Sequence, residues 1–387
     1  MSVIVSCSGK FHAFALAEQL HRHGMLTGLY TSYAYQKNQA FRKLAGRIDK
    51  ENIPPSLIHT AIPLAIGIKG WRKDWFWNEC YDRLTALRIS SQKDYKIFIG
   101  WSGMSLHSLR QAKRDGKLTI LERGSSHILY QNEILKDEYK KFDIDFQIHP
   151  KVIEKELKEY AEADYISIPS IFAKQSFIEY GVDQKKLFHN PYGTSSYFQR
   201  HVENELESKA INRKFRIVYL GNLTVQKGVI YLFEAIEKLD IPIDSYELWL
   251  IGNVSDEIKS TLDRYKKDNW KVFGHVKHYD LPGLLVQCDI GIQPSLQEGL
   301  SMVIVQMIAS GIPVIATTNT GGEDIIKDSV NGFIIPIRSP EAIAEKIEYL
   351  YYNPEKLELM KESTQNLSDM SWDAYGDRYV EFIKKLM

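Results

Sequence analysis

Two segments in the second half of the chain carry residue types at a spacing on which chemistry can be built. The first, YLGNLTVQKG (219–228), runs from a β-branched stretch into Gly221 and Asn222, then through a short turn to Lys227 and Gly228, where the apolar-periodic helix VIYLFEAIEKL opens. Such a turn aims free backbone N–H groups and the positive end of a helix at an anion, and a phosphate is the natural occupant. Lys227 adds a full charge there, useful if the bound group departs as a diphosphate and gathers negative charge in the transition state. The spacing is that of neither a Walker A loop nor GxGxxG. A glycine turn carrying a lysine also serves purely structural ends, and the segment alone leaves that alternative open.

The second segment is PSLQEGLSMVIVQMIASGIPVIATTNTGGEDII (294–326). An apolar strand ending at Pro294 and Ser295 delivers Glu298 into a glycine-bearing turn at the start of a helix. A carboxylate at that point can accept hydrogen bonds from two sugar hydroxyls, while the N–H groups of Gly299, Leu300, Ser301 and Met302 can hold the sugar or its phosphate. Gln306 follows two helical turns later, near the same face. The plain alternative is a glutamate favoured by the helix dipole, with Gln306 merely exposed.

The elements that must position these residues are legible as alternation. Apolar runs and amphipathic segments take turns along nearly the whole chain, the mark of repeated strand-helix units and a parallel sheet covered on both faces. In the first half the expected strands are 3–8, 26–32, 95–101, 117–123 and 164–170; in the second half they are 215–221, 246–252, 270–274, 288–295, 313–319 and 332–336. At 387 residues, 44% hydrophobic and 25% charged, the chain exceeds what one core supports, so two domains are expected. The polar stretch His201–Arg213 reads as the linker, which sets domains at 1–200 and 201–370. A last helical segment, 371–387, has no strand after it and is expected to cap a domain or reach back across the linker.

Taken in order, GNL…KG, WLIG, VFGHV, PSLQEGL, SGIPVIAT and NGFIIP resemble the retaining GT-B glycosyltransferases known as family four, the group 1 glycosyltransferases. The resemblance is close over 215–380. It extends to EADYISIPS and FHNPYGTSSYF, and more loosely to SCSGKFHAFALAEQL and LERGSSH. It implies two Rossmann-like domains with parallel sheets facing across a cleft, and a nucleotide-diphosphate sugar as donor, a UDP-sugar being expected. By that likeness Lys227 would contact the diphosphate and Glu298 the transferred sugar. The backbone of Gly299 to Met302 would hold sugar and phosphate, and that of His275 and Val276 the base. Lys10, after Gly9, would reach the diphosphate from the first domain, and His127 would stand near the donor sugar; its alternative is a helix cap. Glu298, His127 and Lys227 are therefore the expected catalytic residues, with Gly9, Lys10, Gly221, Asn222, Gly228, His275, Val276, Pro294, Ser295, Gly299 to Met302 and Gln306 binding the donor.

Two positions depart from the family pattern: Asn222 replaces its usual arginine and Gln306 its second glutamate. The missing phosphate charge would come from Lys10 or Arg123. Asp143-Ile144-Asp145 matches the DxD of a different transferase fold, but lies away from any strand end pointing to the donor cleft. With Lys227 and the helix terminus carrying phosphate charge, no metal or other cofactor is expected. The three cysteines Cys7, Cys80 and Cys288 suggest neither disulfides nor zinc. Residues 1–200 hold 29 Lys and Arg against 21 Asp and Glu, and the remainder reverses that excess. The positive charge gathers between Lys37 and Lys73 and runs into GWRKDWFW, which suits an anionic membrane surface or an anionic acceptor; a solvated helical face is the alternative. No signal-peptide layout is read at the N-terminus, and Leu57–Ile68 is too short to span a bilayer. The expected setting is the cytoplasm, peripheral on the inner face of the plasma membrane. Partners would be the donor and a glycan or glycolipid acceptor of cell-surface polysaccharide biosynthesis, with no nucleic acid. A nucleotide-sugar 2-epimerase of the same fold and a non-catalytic sugar- or lipid-binding module are the rival functions.

Overall fold

Val- and Ile-rich runs buried on both faces build two parallel sheets. The structure, a computed structural model, describes residues 1–32, 52–60, 74–198, 213–364 and 368–386. The first sheet contains β1 (Val3–Cys7), β2 (Leu26–Thr31), β3 (Ile58–Thr60), β4 (Ile97–Trp101), β5 (Leu118–Glu122), β6 (Tyr165–Ile168) and β7 (Leu187–His189), in the order β3-β2-β1-β4-β5-β6-β7. The second contains β8 (Phe215–Leu220), β9 (Tyr246–Ile251), β10 (Trp270–Gly274), β11 (Ile290–Gln293), β12 (Val314–Thr317) and β13 (Gly332–Ile335), in the order β10-β9-β8-β11-β12-β13. Each sheet therefore reverses its winding once, between β1 and β4 and between β8 and β11. In doubly wound folds the crevice at that reversal is where ligands bind. Gly9 and Lys10 follow β1, the lysine-bearing turn follows β8, and Pro294 and Ser295 follow β11, so all three reach the carboxyl ends of strands beside a reversal.

The eleven expected strands all form, each trimmed by a residue or more at its ends or, for 270–274, at full length. β3 and β7 are additional. Both are three-residue edge strands of intermediate burial, too short to show a period. The eight basic residues between Lys37 and Lys73, Trp71, and the linker stretch 201–212 lie outside the described residues. Among the described residues no helix is long and apolar enough to cross a membrane.

The helix Trp372–Lys385 crosses back and packs on the first domain. Tyr375, Tyr379, Val380 and Ile383 join the core that contains Leu16 and Leu20 of the helix Ala13–Arg22. Gln19 Nε2 donates to Asp373 at 2.9 Å, Arg378 Nε to Asn190 at 2.8 Å, and Tyr379 OH to Glu122 at 2.7 Å. Where the chain leaves the first domain, Thr194 N donates to Met370 O at 2.7 Å, so outgoing and returning segments lie side by side.

The domains also meet directly. Glu138, wholly buried on the helix Ile128–Lys140, takes Arg338 Nε of the second domain at 2.6 Å and a hydrogen bond from Tyr231 OH. After that helix, Phe142, Ile144 and Phe146 pack on the second domain's core. The alternation leaves Asp143 and Asp145 exposed.

Candidate active site

Gly228 ends the first turn with φ +63°, and a Cβ there would lie 2.1 Å from Pro294 O. Glycine alone lets the turn after β8 press against the turn after β11. That contact brings the two sequence segments together: Leu296 N donates to Gln226 O at 3.0 Å, and Gln226 Nε2 to Gln297 O at 3.1 Å. Lys227 Nζ consequently meets Glu298 Oε1 directly, and Ser295 Oγ donates to the same carboxylate oxygen at 2.9 Å. Gln293 Nε2 donates to Ser295 Oγ at 2.8 Å, which fixes the hydroxyl. A cation assigned to a leaving phosphate and a carboxylate assigned to the transferred sugar must be neighbours, because the bond between those two groups is the one that breaks. Here they touch.

Behind them, Glu298 N donates to Asn319 O and Ser301 N to Thr320 O, both at 2.9 Å, which pins the approach to the helix Met302–Ala309. Leu300 and Ser301 are buried in this approach, and Met302 opens onto the cleft. Gly299 lies so near the first domain that a Cβ would sit 2.2 Å from Gly124 O. Ser170 Oγ donates to Gly299 O, and Gln297 Nε2 donates to Ser125 Oγ and Ser126 Oγ at 2.6 and 2.8 Å. The turn holding Glu298 is thus clasped from across the cleft.

Beside this clasp lies a cavity of about 350 Å³ whose walls come from both domains: Lys10, Phe11 and His12 from the first, Met302, Gln306 and His278 from the second, and Trp372 from the returning helix. Gly9 sits at the strand end that leads to Lys10. Gln306 is only 7% exposed and its amide donates to His278 Nε2 at 3.1 Å, while His278 Nδ1 meets Tyr197 OH. His275 and Val276 lie at the mouth of the same loop, but the cavity-lining side chains are His278 and Tyr279. Asn222 is exposed, with its Oδ1 3.4 Å from Asn253 Nδ2.

Two assignments need correction. His127 does not reach the cleft: it caps the helix Ile128–Lys140, its Nδ1 accepting from Leu129 N, and is 2% exposed among Tyr160, Phe177 and Tyr180, the last stacked at 4.7 Å. Burial, aided by the Arg123 charge, pushes its pKa down to about 4, so it is a neutral cap within an aromatic box. Arg123 is likewise spent inside the first domain. Its guanidinium is 2.9 Å from Glu156 and donates to Ser126 O and Gln131 Oε1, leaving Lys10 as the cation of that pair in the cleft.

Residues that sequence reasoning passed over are Gln297, Ser125, Ser126, His278, His12 and Glu122. Gln297 adjoins the singled-out Glu298, yet its partners lie 171 and 172 positions away, which no local pattern reveals. His12 had a signal: a histidine two positions after the Gly9-Lys10 turn. The one group of metal-ligating residue types among the described residues, Glu79, Asp82 and His107, is spanned by Lys155, whose Nζ is 2.8 Å from Glu79 and 2.7 Å from Asp82. Arg83 lies 2.7 Å from Glu79 as well, so two cations face the two carboxylates.

Two doubly wound domains closed over such a site make up a GT-B fold. The fold is similar to that of HepE from Anabaena, crystallised with UDP (TM-score 0.70, 13% identity, 99% of both chains), and of sucrose-phosphate synthase from Thermosynechococcus elongatus (TM-score 0.74, 15% identity, 100% of this chain and 99% of that one). Residues 202–367, which hold the second domain, match the family described as Glycosyl transferases group 1. Among curated relatives it is similar to an "Uncharacterized 41.2 kDa protein in cps region" of Klebsiella pneumoniae, at 24% identity over 59% of this chain and 67% of that protein. It is also similar to alpha-D-kanosaminyltransferase of Streptomyces kanamyceticus, at 25% identity over 44% and 45%. The chain spans from 31% to 72% of the length of the curated relatives compared.

Proposed function

We propose that this chain transfers a sugar from a nucleoside-diphosphate donor to a hydroxyl of a glycan or glycolipid, retaining the configuration of the transferred sugar and requiring no divalent metal. The observation that carries the reading is the meeting of Lys227 with Glu298 at the start of the helix Met302–Ala309, clasped by Ser125, Ser126 and Ser170 of the opposite domain. Departure of the diphosphate leaves an oxocarbenium-like sugar. Lys227, Lys10 and the helix N–H groups stabilise the charge gathering on the leaving group, and Glu298 aligns the sugar through its hydroxyls. Gln306 would bond the ribose. The clasp excludes water that would otherwise hydrolyse the donor.

UDP is the nucleotide favoured, since HepE and the pneumococcal transferase GtfA, which share the fold, were both crystallised with UDP. The name of the Klebsiella relative supports a role in cell-surface polysaccharide biosynthesis. We further place the chain in the cytoplasm, peripheral on the inner membrane face. A thermal-shift screen against nucleoside diphosphates tests the donor reading: a ligand at 100 times its Kd stabilises by about 2.7 kcal/mol, and UDP is expected to give the largest rise in Tm. If no nucleoside diphosphate raises it, the reading fails.

A further inference from the structure

His12 and Glu122 form a pair that the donor site as described does not use. Glu122 ends β5 and is 2% exposed, and it accepts from Tyr379 OH of the returning helix. Its second oxygen lies 2.9 Å from His12 Nε2. A carboxylate only accepts, so Nε2 carries a proton, and in the neutral ring Nδ1 presents a lone pair. Three rings hold the imidazole: Tyr192 at 4.4 Å, Trp101 at 4.9 Å and Tyr375 at 6.1 Å between centroids. Two polar groups on those rings, Trp101 Nε1 and Tyr375 OH, are buried with no hydrogen-bond partner among the described residues.

The pair also stands where a sugar would be. His12 lines the 350 Å³ cavity with Met302, Gln306 and Trp372. Its Cε1 lies 4.0 Å from where a Cβ of Gly124 would be, and Gly124 is the residue against which Gly299 closes. His12 is therefore one residue removed from the turn that presents Glu298. An oriented acceptor nitrogen walled by aromatic rings is chemistry suited to a sugar, whose hydroxyls donate and whose C–H faces stack.

We propose that His12, oriented by Glu122, binds a hydroxyl of the sugar held in the cleft, Nδ1 accepting its hydrogen bond. This rests on the donor reading above. The hydroxyl belongs either to the transferred sugar or to the acceptor, and the two are separable. His12→Gln keeps a donor toward Glu122 and removes the ring's second nitrogen. Glu122→Gln keeps the shape and lets an amide N–H face the ring, so that Nε2 must accept and Nδ1 is left protonated.

The experiment measures UDP, UDP-glucose and UDP-N-acetylglucosamine affinity by calorimetry, with saturation-transfer NMR of methyl α-glucoside on the UDP-saturated protein. In both variants UDP affinity should stay within about twofold of wild type. A donor-sugar contact lowers the preference for a UDP-sugar over UDP by about fivefold, as expected for one hydrogen bond. An acceptor contact leaves that preference intact and cuts the glycoside signal by a similar factor. Either result supports the assignment. Intact UDP binding with both readouts unchanged in both variants overturns it, and absence of UDP binding to the wild type overturns the donor reading and this inference together.

Discussion

Glu298 and Gln306 stand two helical turns apart and are expected to fail differently. Glu298 holds Lys227 and would orient the reacting sugar, so Glu298→Ala loses alignment and leaves a half-buried cation unpaired. A barrier rise of about 3–4 kcal/mol follows, at least ~100-fold in kcat. Gln306 would touch a part of the donor that does not change, and Gln306→Ala should mainly raise KM through loss of about 1 kcal/mol of uniform binding. Steady-state kinetics of the two variants check this, and a reversed order would sink the division of roles. His127 offers a separate test. Its folded pKa of about 4 lies below the ordinary 6.5, so the unfolded chain takes up the proton first. Its contribution to stability is complete above about pH 6.5 and is lost as the pH falls through 4, a loss of about 3 kcal/mol. His127→Asn keeps a capping side chain without a titrating ring, and urea unfolding should show a flatter acid limb than wild type while turnover persists. The residue chemistry of the second domain was legible because its charged groups sit on short turns between recognisable strands. His127 was misplaced because a histidine before a helix reads alike whether it points into a cleft or into a box of aromatic rings.

Among the elements, the turn from Pro294 to Ser301 depends on Gly299. A methyl group there would have to occupy space 2.2 Å from Gly124 O, and backbone cannot swing aside as a side chain can. Gly299→Ala should hold the domains apart, enlarging the radius of gyration in small-angle scattering and lowering kcat by more than about tenfold. UDP binding, which draws on the second domain, should survive within a few-fold. Unchanged scattering and turnover would show that the closed contact has no part in catalysis. The returning helix makes a similar point about packing: Ile383 is fully buried, and Ile383→Ala should cost about 3 kcal/mol by urea denaturation. Strands such as β4 and β13 announce themselves as unbroken apolar runs, whereas β3 and β7, half-buried at the sheet edge, carry no period to read. The first domain's share of the site was harder still, since Glu122 and His12 are 110 positions apart and each looks ordinary in its own segment.

At the scale of the whole molecule, charge asymmetry is the feature that composition alone revealed. The helix Asp74–Ser90 follows the basic stretch and opens on Trp75, Phe76 and Trp77; Lys151 lies 4.2 Å over the Trp75 ring, and Phe76 is 45% exposed. Rings and cations so placed suit an anionic lipid surface. Cosedimentation with phosphatidylserine vesicles should exceed that with neutral vesicles and weaken with salt; equal, salt-independent partitioning would dismiss the idea. Turnover is expected to persist in EDTA, and its loss with recovery on added manganese would move the diphosphate charge from Lys227 and Lys10 to an ion.

The doubled passage between the domains has a consequence in time. Asn190 hydrogen-bonds Tyr375 O, 185 positions further on, and the core around Leu16 and Leu20 includes Tyr379, Val380 and Ile383. During synthesis at about 5–20 residues per second, the first domain emerges some ~10–40 s before the helix that covers it. Through that interval the second domain, whose strands and helices are contiguous in the chain, can fold while its elder neighbour waits with apolar surface bare. Order of appearance and order of completion are thus inverted, and the nascent first domain is the part of this chain that a ribosome-associated chaperone would be expected to hold.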